Sequence, residues 1–110
     1  IVEIQPRKGA FDYHNKYTVG ATDFVCPADF SAERTEAIAR LGVEAFEAVE
    51  GRDFGRVDMM LDTDLNPFVL EVNTLPGLTQ NSLLPRAAAA AGIDFPALCG
   101  RMVELAVKRN

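Results

Sequence analysis

The chain has 110 residues, and a content of 48% apolar and 25% charged residues is typical of a globular protein; 11 Lys and Arg against 16 Asp and Glu give a formal net charge of −5. This length favours a single domain, and the acidic balance argues against nucleic acid or an anionic membrane as a partner. No apolar stretch approaches the ~20 residues that span a bilayer, and no basic segment followed by an apolar one opens the chain, so we expect a cytoplasmic domain.

The first half of the chain predicts two short strands, a long loop and a helix. The chain begins at Ile1, without Met, and residues 1–5 already alternate like a strand, which we interpret as a piece of a longer protein. Residues 10–21 show no clean period and predict a long loop, and long ordered loops are more often functional than short ones. Residues 22–26 predict the second strand. Apolar side chains at helical spacing then predict a helix with one buried face over 31–49.

The second half predicts a β-hairpin followed by two helices. Residues 55–61 and 68–73 read as strands, and the six residues between them are rich in turn formers. We expect helices over about 84–91, where Pro85 suits the first position, and over 95–108.

The hairpin contains the most informative polar residues. If its turn closes symmetrically, Asp58 lies opposite Glu71, and Arg56 lies opposite Asn73. Directly opposed side chains have Cβ atoms roughly 4.5–5.5 Å apart, so the two carboxylates repel each other unless a cation lies between them. Two interpretations remain open: Arg56 neutralises one carboxylate in a surface cluster, or the oxygen ligands hold a hard divalent cation such as Mg²⁺.

The segment that follows the hairpin predicts a binding site for an anion. Gly77 in a Pro-Gly pair lets backbone come close to a ligand. Ser82 and Leu83 lie near a helix start, where free N–H groups favour an anion such as a carboxylate. A plain helix cap is the alternative for Ser82, and on that residue alone it is the better one.

Several motifs in this order resemble the C-terminal catalytic segment of the D-alanine–D-alanine ligase family, which are ATP-grasp enzymes. The matching stretches are Phe-Asp-Tyr-His-Asn-Lys-Tyr at 11–17, Val-Cys-Pro-Ala at 25–28, Gly-Arg-Val-Asp-Met-Met-Leu-Asp at 55–62, Leu-Glu-Val-Asn-Thr-Leu-Pro-Gly-Leu-Thr at 70–79 and Ser-Leu-Leu-Pro at 82–85. The resemblance extends, in the same order, over nearly all 110 residues. The resemblance implies that ATP phosphorylates the carboxylate of one D-alanine, and that the amine of a second attacks the acyl phosphate to make a dipeptide for peptidoglycan precursor synthesis.

The resemblance also implies roles at the hairpin. Asp58, Glu71 and Asn73 would hold two Mg²⁺ (or Mn²⁺) ions, with Glu71 bridging them. Arg56 and the backbone N–H of Gly77 would stabilise the tetrahedral intermediate.

Five further residues acquire roles from the same resemblance. Ser82 and Leu83 would hold the carboxylate of the second substrate. Lys16 and Tyr17 would close over the phosphates and the second substrate, and Met60 would line the adenine side of an ATP site.

We therefore expect residues 1–110 to form an α+β C-terminal ATP-grasp lobe, a mainly antiparallel sheet with helices packed on one face. The N-terminal domain and the other ATP-grasp lobe would belong to the rest of the ligase chain, so this segment alone would be inactive. The resemblance allows a homodimer of the full-length enzyme. Two alternatives stay open: a related ligase that accepts D-lactate or D-serine, and a non-catalytic binding module with an ATP-grasp-like fold.

Overall fold

The computed structural model describes residues 1–6 and 22–109, and these form an α+β arrangement of four strands and three helices. The elements in chain order are β1 (Glu3–Pro6), β2 (Thr22–Val25), α1 (Ala32–Ala48), β3 (Arg56–Leu61), β4 (Pro67–Asn73), α2 (Leu83–Ala90) and α3 (Phe95–Arg109). The predicted fold class is confirmed, and the element boundaries lie within one or two residues of those expected.

All strand pairing in the described residues is antiparallel, as predicted. β1 pairs with β2, and β3 pairs with β4, so the described strands form two two-stranded sheets. Because the β3–β4 hairpin is built from chain neighbours joined by a short turn, its register is decided locally.

Helix α1 begins where the sequence predicts and covers one face of the hairpin. Its N-cap is Ser31, whose Oγ accepts a hydrogen bond from the backbone N–H of Arg34 at 3.2 Å. A Cβ placed on Gly42 would lie 3.5 Å from Cε of Met59, so this helix contacts the Met59 face of β3. Since neighbouring side chains of a strand point to opposite faces, Arg56 and Asp58 lie on the face that α1 leaves open.

Helix α1 packs closely against the residue that precedes β3. The ring of Phe46 lies against Gly55, where a Cβ would come within 2.6 Å of Cε2 of Phe46 and 3.2 Å of the carbonyl oxygen of Asn73. Real Cβ atoms do not approach other atoms so closely, so glycine at position 55 lets the helix and the hairpin meet.

Helices α2 and α3 are joined by a tight reversal that is visible in the sequence. The N–H of Ile93 donates to the carbonyl of Ala88 at 2.8 Å, and that of Gly92 donates to Ala89 at 3.0 Å, with Gly92 at φ +88°. This is the Schellman pattern, which favours glycine because its φ is positive. Asp94 then caps α3 by accepting from the N–H of Ala97 at 2.8 Å.

One local prediction was wrong. Pro85 is the third residue of α2, after Leu83 and Leu84, rather than the first. Proline is tolerated there because the first N–H groups of a helix have no partner within the helix.

Few apolar side chains of the described residues are fully enclosed. Ile38, Ala88 and Leu98 are buried, whereas Met60, Phe68 and Leu70 on the hairpin are about 60% exposed. In the described ranges, no helix has both the length and the apolar character that crossing a membrane requires.

Candidate functional site

The hairpin register confirms the predicted juxtaposition of its polar residues. Arg56 pairs with Asn73, and Asp58 pairs with Glu71. The four side chains therefore lie on one face of a two-stranded sheet, opposite the face that α1 covers.

Arg56 and Asp58 form a two-point ion pair along β3. Nε of Arg56 donates to Oδ1 of Asp58 at 2.6 Å, and its Nη2 donates to Oδ2 at 3.0 Å. The hydrogen bond to Asp58 raises the pKa of the Arg56 guanidinium above its ordinary value, the negative charges of Asp58 and Glu71 add to this, and partial burial opposes it. Arg56 thus keeps its positive charge beside two carboxylates.

Each of the two interpretations of the hairpin agrees with part of the observed geometry. The ion pair neutralises one carboxylate, as in the surface-cluster interpretation, and leaves one carboxylate in excess. A carboxylate offers about four lone-pair sites, and Arg56 uses two of those on Asp58. Glu71 is exposed to solvent. The donor set therefore retains oxygen ligands and a net negative charge.

Asn73 completes the oxygen donors of this face. Its Oδ1 accepts a hydrogen bond from the N–H of Leu75 at 3.0 Å, which orients the amide oxygen and leaves it a second lone pair. In the described ranges, no three His, Cys, Asp or Glu side chains cluster as a metal site of their own. Two carboxylates and one amide oxygen instead suit Mg²⁺, because this ion keeps waters and takes substrate phosphates as its remaining ligands.

A β-bulge changes which apolar side chains share this face. The register shifts between Asp58 and Met59, so Met59 pairs with Val69 and Met60 pairs with Phe68, and Leu70 is left without a partner in this ladder. Strict alternation along β4 predicts that Phe68, Leu70 and Val72 share one face, away from Glu71 and Asn73. That interpretation is wrong for Phe68, because one extra residue in β4 reverses the alternation beyond it.

The bulge brings an apolar area next to the carboxylates. Met60 and Phe68 are paired across the strands on the open face, 61% and 58% exposed, and the unpaired Leu70 is 61% exposed. Met60 was singled out from the sequence, whereas Phe68 was missed because spacing alone does not reveal a bulge.

A second group of predicted residues meets in the turn before α2. A Cβ on Gly77 would lie 2.9 Å from Oγ of Ser82, so the Gly77 backbone passes close to this hydroxyl. Ser82 occupies the N-cap position of α2 as predicted, and Leu83 is the first residue of that helix. Gly77 lies four positions after Asn73, so its Cα is within about 14 Å of that of Asn73.

Thr79 also belongs to this turn, although the sequence did not single it out. Its Oγ1 lies 2.6 Å from Oγ of Ser82, and its N–H donates to the same oxygen at 3.1 Å. The Thr-x-x-Ser spacing at 79–82 is the sequence pattern that could have indicated this contact.

Two predicted residues cannot be placed against this site. Lys16 and Tyr17 lie outside the described residues. A surface depression of about 220 Å³ beside α1, lined by Ser31, Arg34 and Ile38 among others, contains none of the predicted site residues.

Comparison with known proteins covers nearly the whole chain. The family model described as "D-ala D-ala ligase C-terminus" matches residues 1–104. The chain is 42% identical over 109 residues to the D-alanine–D-alanine ligase of Methylacidiphilum infernorum, covering 99% of this chain and 36% of that protein. It is 44% identical over 108 residues to the ligase of Pelotomaculum thermopropionicum, covering 98% and 34%.

A solved structure agrees in both sequence and fold. The D-alanine–D-alanine ligase of Bacillus anthracis complexed with ATP superposes with a TM-score of 0.78 at 36% identity, covering 97% of this chain and 35% of that one. The chain therefore spans about a third of the length of the relatives that it matches.

Proposed function

Because the chain belongs to the D-alanine–D-alanine ligase C-terminus family, we propose that it forms one wall of the active site of an ATP-dependent ligase that joins two D-alanines. The observation that carries this proposal is the family match over residues 1–104 together with the opposed Asp58 and Glu71 on the open hairpin face. The product would serve peptidoglycan precursor synthesis in the cytoplasm.

The proposed reaction has two steps. A carboxylate oxygen of the first D-alanine attacks the γ-phosphorus of ATP, so ADP leaves and an acyl phosphate forms. The amine of the second D-alanine then attacks the acyl carbon, phosphate leaves, and the amine loses its proton as the peptide bond forms. The ATP complex of the Bacillus anthracis ligase supports ATP as the phosphoryl donor.

The hairpin residues suit the charges of these steps. Asp58, Glu71 and Asn73 would hold two Mg²⁺ or Mn²⁺ ions. Bound there, the ions would neutralise phosphate charge. The donor chemistry fits, because each residue offers an oxygen and the group carries one carboxylate in excess of Arg56.

Arg56 and Gly77 would stabilise the oxygen that gains negative charge at the acyl carbon. A guanidinium that stays protonated offers fixed donors to such an oxygen, and a backbone N–H adds a second donor without reorganisation. Arg56 has donor groups beyond the two that Asp58 accepts.

The remaining roles follow the resemblance of the sequence to the family. Ser82 and the N–H of Leu83 would hold the carboxylate of the second D-alanine at the start of α2. Lys16 and Tyr17 would close over the phosphates and the second substrate. Met60, with Phe68 beside it, would offer an apolar surface to the adenine ring.

We propose that residues 1–110 are the C-terminal ATP-grasp subdomain of a longer ligase chain that supplies the N-terminal domain and the other lobe. The described hairpin face is open, so ATP would be enclosed only between this face and the missing lobe. Residues 1–110 alone should form no dipeptide from ATP and D-alanine. Dipeptide synthesis by this segment, free of contaminating enzyme, would contradict that part of the proposal.

The test is Mg²⁺-dependent phosphate release by the full-length enzyme with D-alanine, D-lactate and D-serine offered separately as acceptors. We expect release with D-alanine and formation of the dipeptide by mass. A preference for D-lactate or D-serine would reassign the acceptor. No release with any acceptor from folded protein would contradict the ligase function and favour a binding module.

A further inference from the structure

The hydroxyl of Ser82 does not cap α2, although Ser82 is the N-cap residue of that helix. A serine at the N-cap ordinarily accepts a hydrogen bond from the second or third N–H of its helix. Within α2, which is described in full, Ser82 makes no such bond, and the third residue is Pro85, which has no N–H. The Ser82 side chain is therefore available for contacts outside the helix.

Thr79 binds this hydroxyl from two directions. Its backbone N–H donates to Oγ of Ser82 at 3.1 Å, and its Oγ1 lies 2.6 Å from the same oxygen. The N–H of Ser82 donates back to the carbonyl of Thr79 at 2.9 Å, which closes the turn. Gly77 lies on a further side, where a Cβ would be 2.9 Å from Oγ of Ser82.

The number of hydroxyl protons determines what the Thr79–Ser82 pair can donate to a ligand. A hydroxyl has one proton and two lone pairs. If Thr79 donates both its N–H and its O–H, the lone pairs of Ser82 Oγ are used and its single proton must point to another acceptor. If Ser82 donates instead, the proton of Thr79 is the one left over. In either case the pair presents one outward O–H, the chemistry that suits a carboxylate, which only accepts.

We propose that Thr79 is a positioning residue, which orients the Ser82 hydroxyl as a donor toward the carboxylate of the acceptor amino acid. This inference rests on the proposed function, because the ligand is the second D-alanine of that reaction. Thr79 acts through Ser82 and has no part in the phosphorylation of the first D-alanine.

The experiment compares Thr79→Val with Thr79→Ser in the full-length enzyme. Valine keeps the shape of threonine and removes the hydroxyl, whereas serine keeps the hydroxyl. Thr63→Val, at an exposed position in the hairpin turn, is the matched control. We measure kcat, the KM for ATP and the KM for D-alanine in dipeptide formation.

Loss of one hydrogen bond predicts that Thr79→Val raises the acceptor KM for D-alanine about three- to tenfold. Its kcat and KM for ATP should stay within about twofold of the unsubstituted enzyme, since a single surface contact is removed. Thr79→Ser and Thr63→Val should both match the unsubstituted enzyme. An unchanged KM for D-alanine in Thr79→Val, or an equal defect in Thr79→Ser, overturns the inference.

A second readout separates positioning from a general structural role. Hydroxylamine attacks the acyl carbon of the same acyl phosphate, releasing phosphate and giving a hydroxamate, but it has no carboxylate for Ser82 to hold. Thr79→Val should therefore make hydroxamate at an undiminished rate while its dipeptide formation falls. A parallel loss of both products overturns the inference.

A double-mutant cycle tests whether Thr79 acts through Ser82. If it does, Thr79→Val adds no further defect in a Ser82→Ala enzyme. Additive defects overturn the inference and leave the proposed function intact. If the unsubstituted enzyme makes neither dipeptide nor hydroxamate, the proposed function fails, and the inference that rests on it fails as well.

Discussion

The β3–β4 hairpin and the turn from Gly77 to Ser82 hold their polar groups by different means. In the hairpin, the antiparallel backbone ladder puts Asp58 opposite Glu71 whatever their side chains bond to. In the turn, the hydroxyl of Ser82 is held by the backbone N–H and the side-chain hydroxyl of Thr79. A side-chain substitution in the hairpin therefore leaves the pairing of the strands in place, whereas one at Thr79 changes the hydrogen bonds that orient the Ser82 hydroxyl.

The largest expected effect comes from removing a charge on the hairpin without disturbing its register. Glu71→Gln keeps the size of the side chain and should lower kcat/KM of the proposed full-length ligase at least about a hundredfold, because an amide is a poor substitute for a carboxylate at the proposed divalent cation. Steady-state phosphate release measures this. Glu47→Gln, at an exposed position of α1, should leave the rate unchanged. Near-normal activity of Glu71→Gln would identify Asp58 and Glu71 as a charged surface cluster.

Replacing the positively charged side chain of Arg56 on the same face should have the next largest effect. Arg56→Lys retains the charge but replaces the two-point contact with Asp58 by a single donor group. Charge-assisted hydrogen bonds of this kind predict a loss of about ten- to a hundredfold in kcat. Arg40→Lys, which alters an exposed ion pair with Glu36, is the control and should leave kcat unchanged. Equal rates for Arg56→Lys and the unsubstituted enzyme would remove Arg56 from the reaction.

The packing of α1 against the hairpin should have a smaller effect, on stability. Gly55→Ala inserts a Cβ 2.6 Å from the Phe46 ring and should lower the free energy of unfolding by about 1–3 kcal/mol. Gly100→Ala is the matched control in α3, where no described heavy atom lies within 4 Å of the new Cβ apart from the chain neighbours and the backbone of the helix itself. It should raise stability by up to about 1 kcal/mol because alanine favours the helix. Urea unfolding of the full-length protein measures both, and an equal response would show that the Phe46 contact is unimportant.

The smallest expected effect lies at the tip of the hairpin and depends on pH. The carboxylate of Asp62 accepts from the N–H groups of Asp64 and Asn66 and from Nδ2 of Asn66. The hydrogen bonds from Asn66 lower the pKa of Asp62 below its ordinary 3.8. Because the pKa is lower in the folded state, the ionised form is stabilising above pH 3.8, and this stabilisation is lost as pH falls through the lowered value.

Asp62→Ala should therefore lower the unfolding temperature at pH 7, and the difference from the unsubstituted protein should shrink below pH 3.8. Thermal unfolding at a series of pH values measures this difference. Asp64→Ala, at an adjacent exposed position, should show no such trend. A difference between Asp62→Ala and the unsubstituted protein that stays constant with pH would contradict the role of the carboxylate.

Much of the candidate site could be predicted because it depends on local spacing. The pairing of Arg56 with Asn73 and of Asp58 with Glu71 follows from strand alternation and a short turn. The caps at Ser31 and Asp94 and the reversal at Gly92 follow from side-chain and backbone chemistry within a few residues. These features need no information from distant parts of the chain.

Motifs and local spacing were enough to predict the family, the α+β class and the face that Arg56 and Asp58 share. The position of the β-bulge, which places Phe68 beside Met60, and the contact of the Phe46 ring with Gly55 became visible only in the folded chain. The same holds for the Ser82 hydroxyl, which turns to Thr79 instead of capping α2. The physical reason is that alternation and capping act over a few residues, whereas a bulge, a ring contact and a hydroxyl rotamer depend on which atoms the folded chain brings together.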